Sequence, residues 1–177
     1  MPEKQQFTQW RAFKGSYSVK KGEASALIWL WLSLLVAGLD QVTKIWVSAI
    51  LEFNQPVTVL PFFDLRLLHN AGAAWSFLAN AGGWQRWFLA GLAILVMGVI
   101  IAWLSRIKRQ QYWLAFALAL VIGGALGNVI DRVIYGYVID FIDIYYQGWH
   151  WPAFNIADSA ISVGVVMLLI DAFFNND

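Results

Sequence analysis

Residues 112–132 read YWLAFALALVIGGALGNVIDR, and this stretch decides the fold. From Tyr112 to Ile130 it carries no charge, and a helix crossing a bilayer core needs roughly 20 mostly apolar residues. Its end turns polar at Asn128, Asp131 and Arg132. Spacings of three and four put these side chains on one helix face. Gly124 and Gly127 lie on or near that face and would let a neighbouring helix approach closely. Working outward, Trp87 to Leu104 is a second span without charge. Two flanking spans carry polar residues: Ala24 to Ile50 holds Asp40 and Lys44, and Ala153 to Ile170 holds Asn155 and Asp158. The expectation is an all-α integral membrane protein of four transmembrane helices. Residues 1–23 are a cytoplasmic tail and 24–177 the four-span domain, with one outer loop at about 51–86 and a second at about 131–152.

Composition agrees. The chain is 60% hydrophobic and 13% charged, too little charge to cover a soluble domain of this size. Its 11 Trp suit the membrane–water interface, where the ring is apolar and the N–H can reach water. A net charge of +1 gives no reason to expect nucleic acid. With no Cys there is no disulfide, thiolate metal site or cysteine nucleophile, and no point of attachment for a lipid of its own. Only His69 and His150 are present, and no H-E-x-x-H, so neither a metal nor a cofactor is expected.

Positive charge sets the orientation. Lys4, Arg11, Lys14, Lys20 and Lys21 precede the first span, and Arg106, Lys108 and Arg109 link the second to the third. Both termini are therefore expected in the cytoplasm, with the loops after Ile50 and Ile130 outside. Lys20 and Lys21 before an apolar run also fit a cleaved signal peptide. The run is long for that role, and no small-residue cleavage site follows it.

The first outer loop has strand character. Phe63, Leu65 and Leu67 alternate with Asp64, Arg66 and Leu68, and Val57-Thr58-Val59 are strand formers. Pro56 and Pro61 limit the latter to a short or edge strand. A small extracytoplasmic β-element on the membrane surface is expected.

On this topology the following polar residues all fall at one side. Asp40 and Lys44 lie in the outer half of span one, Asn128, Asp131 and Arg132 at the outer end of span three, and Asn155 and Asp158 at the start of span four. Asn70 and Asp140 belong to the outer loops. Ionisable groups in a bilayer are costly and point to function, and a one-sided cluster suits chemistry at an interface. Asn155, Asp158 and Ser162 form a stripe expected to face that of Asn128. Plain structural readings stand beside these. Asp40 and Lys44 make an i, i+4 structural pair, and Arg132 can snorkel. Asn70 can serve the turn before Gly72. Asp131, adjacent to Arg132 and so not its partner, divides between structure and support of a site. Asp140 can be a solvated loop acid and Asp158 a helix-start acid, and Asp143 competes with Asp140.

Five local patterns occur in order: Asp40-Gln41-Val42-Thr43-Lys44; Asn70-Ala71-Gly72-Ala73-Ala74-Trp75-Ser76; Gly123 to Arg132; Val138-Ile139-Asp140-Phe141; and Phe154-Asn155-Ile156-Ala157-Asp158. Together, on a four-span chain, they resemble the lipoprotein signal peptidase family, also called signal peptidase II. Trp75 stands where the family often has Phe. The resemblance implies an aspartic endopeptidase of the bacterial inner membrane. It would cut just before the lipidated Cys of diacylglyceryl-modified prolipoproteins, as a monomer among membrane lipids, with its site at the outer face. It implies Asp140 and Asp158 as the catalytic dyad, with Asn70, Gly72, Asn128, Arg132 and Asn155 binding substrate or supporting the site. Rival readings are a serine–lysine peptidase pairing Lys44 with Ser76 or Ser159, a small transporter, and a non-enzymatic assembly factor.

Overall fold

The computed structural model describes residues 25–72 and 82–174; the expected tail at 1–23, together with Trp75 and Ser76, lies outside them. A 3-10 turn, Ala26–Trp29, leads into α1, Leu30–Ile50. Strands β1 (Pro56–Leu60) and β2 (Phe63–Asn70) follow, then α2 (Gln85–Leu104) and α3 (Tyr112–Ile134). Strands β3 (Val138–Tyr146) and β4 (Trp149–His150) precede α4, Ile156–Phe174. All four helices, taking the first from Ala26, are long and apolar enough to cross a membrane.

The sequence of α3 explains why it sits in the middle. Its glycines admit α1 and α4 closely, while Leu114, Leu118 and Ile122 meet Met97 and Leu104 of α2; all three helices pack on it, and it is the most buried of the four. A side chain at Gly123 would collide with Ser33 and Val36 of α1. One at Gly124 would strike the Ala157 carbonyl of α4, and one at Gly127 would meet Asp40 Oδ2. Small residues of this kind let helix backbones approach where lipid supplies no hydrophobic drive. Gly164 of α4 answers against Ala117 and Val121, and Ser33 Oγ donates to the Ala119 carbonyl at 2.9 Å. The outward faces present Leu34, Ile45, Leu95, Val99 and Val166, all exposed apolar residues suited to lipid.

The outer elements form one antiparallel sheet in the order β1-β2-β3-β4. Pro56 opens the edge strand β1, whose five residues are all exposed. The alternation expected in β2 is only partial. A register shift between Leu65 and Leu68 breaks it, and Asp64 is buried alongside Leu67. The hairpin between β3 and β4 turns on Gln147 and Gly148, both with positive φ (50° and 82°), the backbone form of a tight two-residue turn.

Three expectations need correction. The β-element, expected in the first outer loop, also takes β3 and β4 from the second, so the sheet draws on both loops. Span three runs on to Ile134. Span four starts at Ile156 rather than Ala153, because Phe154 is drawn into the sheet: its N–H donates to Ile142 O (3.1 Å) and its carbonyl accepts from Phe141 and Ile142 N–H (3.1 and 2.9 Å).

Candidate active site

The C-terminal parts of α1 and α3, the start of α4 and the strand pair β2–β3 converge at one end of the bundle. The polar residues singled out in the sequence meet there. Asp140 lies on β3 opposite Leu68 and is only 3% exposed. Its two oxygens accept from different amides: Oδ2 from Asn70 Nδ2 at 3.1 Å and Oδ1 from Asn155 Nδ2 at 2.8 Å. Asn70 is itself oriented, since its Oδ1 accepts the Gly72 N–H at 3.0 Å. Its turn-forming role and its place beside Asp140 are therefore one arrangement.

Asn155 and Asp158 cap α4 reciprocally. Asn155 Oδ1 accepts the Asp158 N–H at 2.9 Å, and Asp158 Oδ2 accepts the Asn155 N–H at 3.3 Å. This is a capping box with a carboxylate in the third position, and it places the acid where the helix dipole favours negative charge. Asn128 Nδ2 from α3 donates to Asp158 Oδ1 at 2.7 Å, so the expected polar stripes do face each other. The α4 stripe stops there: Ser162 is exposed. Asn155 is the common element, with its side-chain amide on Asp140 and its backbone N–H on Asp158.

The electrostatics follow from this enclosure. Burial, reinforced by the nearby charge of Asp158, pushes the Asp140 carboxyl from 3.8 up to about 7, against the amides of Asn70 and Asn155 and the charge of Lys44, which pull it down. Arg132 sits near enough for Asp158 and Asp140 to act on its charge, and it ties two segments together. Its Nη2 donates to Gly72 O at 3.0 Å and its Nη1 to Asn128 O at 3.3 Å. It thus braces the loop after β2 against α3.

Asp40 and Lys44 form the expected pair at 2.7 Å, but not alone: Lys44 is also 2.9 Å from Asp131. The open question over Asp131 resolves into contacts with both α1 and β3, since its Oδ2 also accepts the Ile139 N–H at 3.0 Å. Gln41, quoted within a motif but given no role, donates to Asp131 Oδ1 at 2.8 Å. The i, i+4 spacing could reveal the first pair; contacts across 90 residues leave no local signal.

Asp143 separates cleanly from Asp140. Three residues along a strand reverse the side chain's face, and Asp143 turns to His150 Nδ1 at 2.8 Å and Arg66 Nη1 at 3.6 Å. His69 stacks on Tyr137 with ring centroids 4.0 Å apart. Lys44 sits between carboxylates, and Ser159 Oγ donates to Asn155 O at 2.9 Å, so neither is arranged as a serine–lysine pair. Among the described residues no group of three His, Asp or Glu side chains is placed to hold a metal.

Comparison with known proteins identifies the family. Residues 32–174 match the family model described as signal peptidase (SPase) II. The lipoprotein signal peptidase of Pseudoalteromonas atlantica is 54% identical over 153 residues, 86% of this chain and 93% of that protein. That of Acinetobacter baumannii is 57% identical over 148 residues, 84% of each chain. A bacterial membrane enzyme structure determined in meso at 2.3 Å superposes with a TM-score of 0.71 at 30% identity, covering 85% of this chain and 92% of the other. Neither a transporter nor an assembly factor finds support in these relatives. With the match running from α1 through α4, the chain belongs to the signal peptidase II family of membrane peptidases.

Proposed function

We propose that this protein cuts prolipoproteins by an aspartic mechanism in which Asp140 and Asp158 share one proton and act on one water. The observation that carries the reading is Asn155, which holds both carboxyls through its side chain and its backbone. Removal of signal peptides from prolipoproteins is the activity of the family to which the chain belongs.

Two close carboxyls do not both ionise easily, so the pair keeps a proton near neutral pH. The ionised member takes a proton from water as the oxygen attacks the scissile carbonyl. The protonated member donates to the carbonyl oxygen as the tetrahedral intermediate forms. Collapse of that intermediate breaks the C–N bond: the proton taken from water passes to the departing amine, and a hydroxyl proton of the diol returns to the other carboxylate as the product carbonyl re-forms, which restores the singly protonated pair. The pair titrates as a unit, so the two roles belong to the dyad. Asn70, Asn128 and Asn155 orient the carboxyls, and Arg132 with Gly72 frames the substrate side. The bond cut is the one before the diacylglyceryl-modified Cys, whose acyl chains stay in the bilayer beside the helices. That anchoring sets the depth of the scissile bond and lowers the entropic barrier to its placement.

The site faces outward and both termini lie in the cytoplasm of a bacterial inner-membrane protein, as the distribution of Lys and Arg supports. The protein acts as a monomer, without a metal or other cofactor.

The test supplies purified protein in detergent with the same precursor in diacylglyceryl-modified and unmodified forms, and reads the products by mass. Cleavage of the lipidated form alone, with Cys as the new N-terminus, is expected. Equal cleavage of both forms would remove lipid anchoring from the account.

A further inference from the structure

The residues immediately before the two proposed catalytic aspartates are gripped in the same way. The Ile139 N–H, next to Asp140, donates to Asp131 Oδ2 at 3.0 Å. The Ala157 N–H, next to Asp158, donates to Asp40 Oδ1 at 2.9 Å. Those two carboxylates converge on one ammonium, Lys44 Nζ, at 2.7 Å from Asp40 and 2.9 Å from Asp131, with all three side chains at most 1% exposed. Gln41 Nε2 spans the same carboxylates at 3.3 and 2.8 Å. Lys44 also donates to Asn128 Oδ1 at 3.1 Å, and Asn128 Nδ2 then holds Asp158 Oδ1 at 2.7 Å. An ammonium has three donor hydrogens, and here each has one acceptor.

We infer that Asp40, Lys44 and Asp131 form a buried spacer that sets the distance and orientation between Asp140 and Asp158, making them positioning residues for the reaction. The inference rests on the dyad reading above. Its physical ground is that helix association does not require these charges. Replacing a buried ion cluster with apolar residues of similar shape is often neutral or stabilising, and Gly123 and Gly124 already seat the helices through contacts outside the cluster. What apolar residues cannot supply is a fixed acceptor for the N–H beside each dyad acid, with both acceptors drawn to one point. The cluster thereby joins α1, α3, β3 and α4, the elements that carry or hold the two acids. It also fixes the Asn128 amide, because the Lys44 donor compels Oδ1 to face it and Nδ2 to face Asp158.

The experiment compares three proteins in detergent: wild type, Lys44→Met, and the apolar triple variant Asp40→Leu/Lys44→Met/Asp131→Leu. For each, the pH profiles of kcat and KM on a lipidated precursor are measured beside Tm. Misplacement of a reacting group by an ångström costs about 100-fold, so both variants should lose at least about that much kcat. KM should stay within about threefold, since the site still binds substrate. Removing the Lys44 charge displaces both limbs of the kcat profile in the same direction, so the spacing between the limbs is read instead; it reports the coupling between the carboxyls and should narrow by about one pH unit as the acids separate. The triple variant leaves the Ile139 and Ala157 N–H groups without acceptors, at about 1–3 kcal/mol each, so its Tm should fall, and it should stay slow when assayed folded, well below that Tm.

A conservative pair guards against misfolding. Asp131→Asn retains an acceptor for the Ile139 N–H and should keep at least about a tenth of wild-type kcat, whereas Asp131→Leu should lose about 100-fold. Wild-type kcat and limb spacing in the triple variant would overturn the spacer, as would equal losses in Asp131→Asn and Asp131→Leu. Asp140→Asn and Asp158→Asn run alongside. Activity in either would sink the dyad itself, an outcome distinct from failure of the spacer.

Discussion

Replacing Asp140 with Asn should abolish turnover and make stability less dependent on pH. In the wild type this carboxyl is raised from 3.8 to about 7, chiefly by burial and then by the charge of Asp158. The folded state therefore holds a proton over a range in which the unfolded chain has released it. The stability this contributes is complete below about 3.8 and is lost as pH rises through about 7. At about 1.4 kcal/mol per unit, the whole window is worth about 4 kcal/mol, of which about 3 kcal/mol lies above pH 5. The Asn variant carries no such charge. It does lose a hydrogen bond at every pH, because donors from Asn70 and Asn155 address both oxygens and its amide nitrogen must oppose one of them. That costs about 1–3 kcal/mol. The variant should thus be less stable than wild type at pH 5 and equal or better at pH 8, the difference shifting by about 3 kcal/mol. Unfolding of both proteins in the same detergent at pH 5, 6, 7 and 8 measures it. An offset that stays constant across that range would refute the reasoning.

Other outcomes follow from the same geometry. Asp143→Asn should retain most activity, because Asp143 faces Arg66 and His150 rather than the dyad; an inactive Asp143→Asn beside an active Asp140→Asn would show that the loop acid is misassigned. Gly124→Leu would drive a side chain into the Ala157 carbonyl and should destabilise the fold by about 1–3 kcal/mol, read as a lower Tm with activity lost in proportion. EDTA should leave the cleavage rate unchanged, since amides occupy the dyad oxygens and both His residues are engaged elsewhere; inhibition reversed by zinc would contradict a dyad-activated water. Reporter fusions after Leu104 should read cytoplasm and those at Gln147 outside, and the reverse would invert the assigned orientation.

Much of this was legible because bilayers impose a coarse grammar. A charge-free run such as Tyr112–Ile130 has few alternatives to spanning, and polar residues at one end of several spans have few places to go except toward each other. The less legible parts have identifiable causes. Strand β3 reads VIDFIDIYY; aspartates three apart cannot both obey a period of two, so its alternation is blurred. For the same reason sequence spacing could not choose between Asp140 and Asp143, whereas the strand turns them to opposite faces. The start of α4 was signalled by Asn155 followed by an acid three residues later, but the apolar Ala153 and Phe154 drew the expected span too far back. The partnership of Asp40, Asp131, Ile139 and Ala157 joins four elements and has no local pattern.

Whether Asp140 and Asp158 act as one unit is read in single-turnover cleavage of a lipidated precursor. Wild type, Asp140→Asn, Asp158→Asn and the double variant are compared at matched folded concentration. Each single change should cost at least about 1,000-fold, and the double variant should be slower than either by no more than about threefold. Losses that multiply in the double variant, or a single variant retaining more than about a tenth of the wild-type rate, would contradict action as one unit.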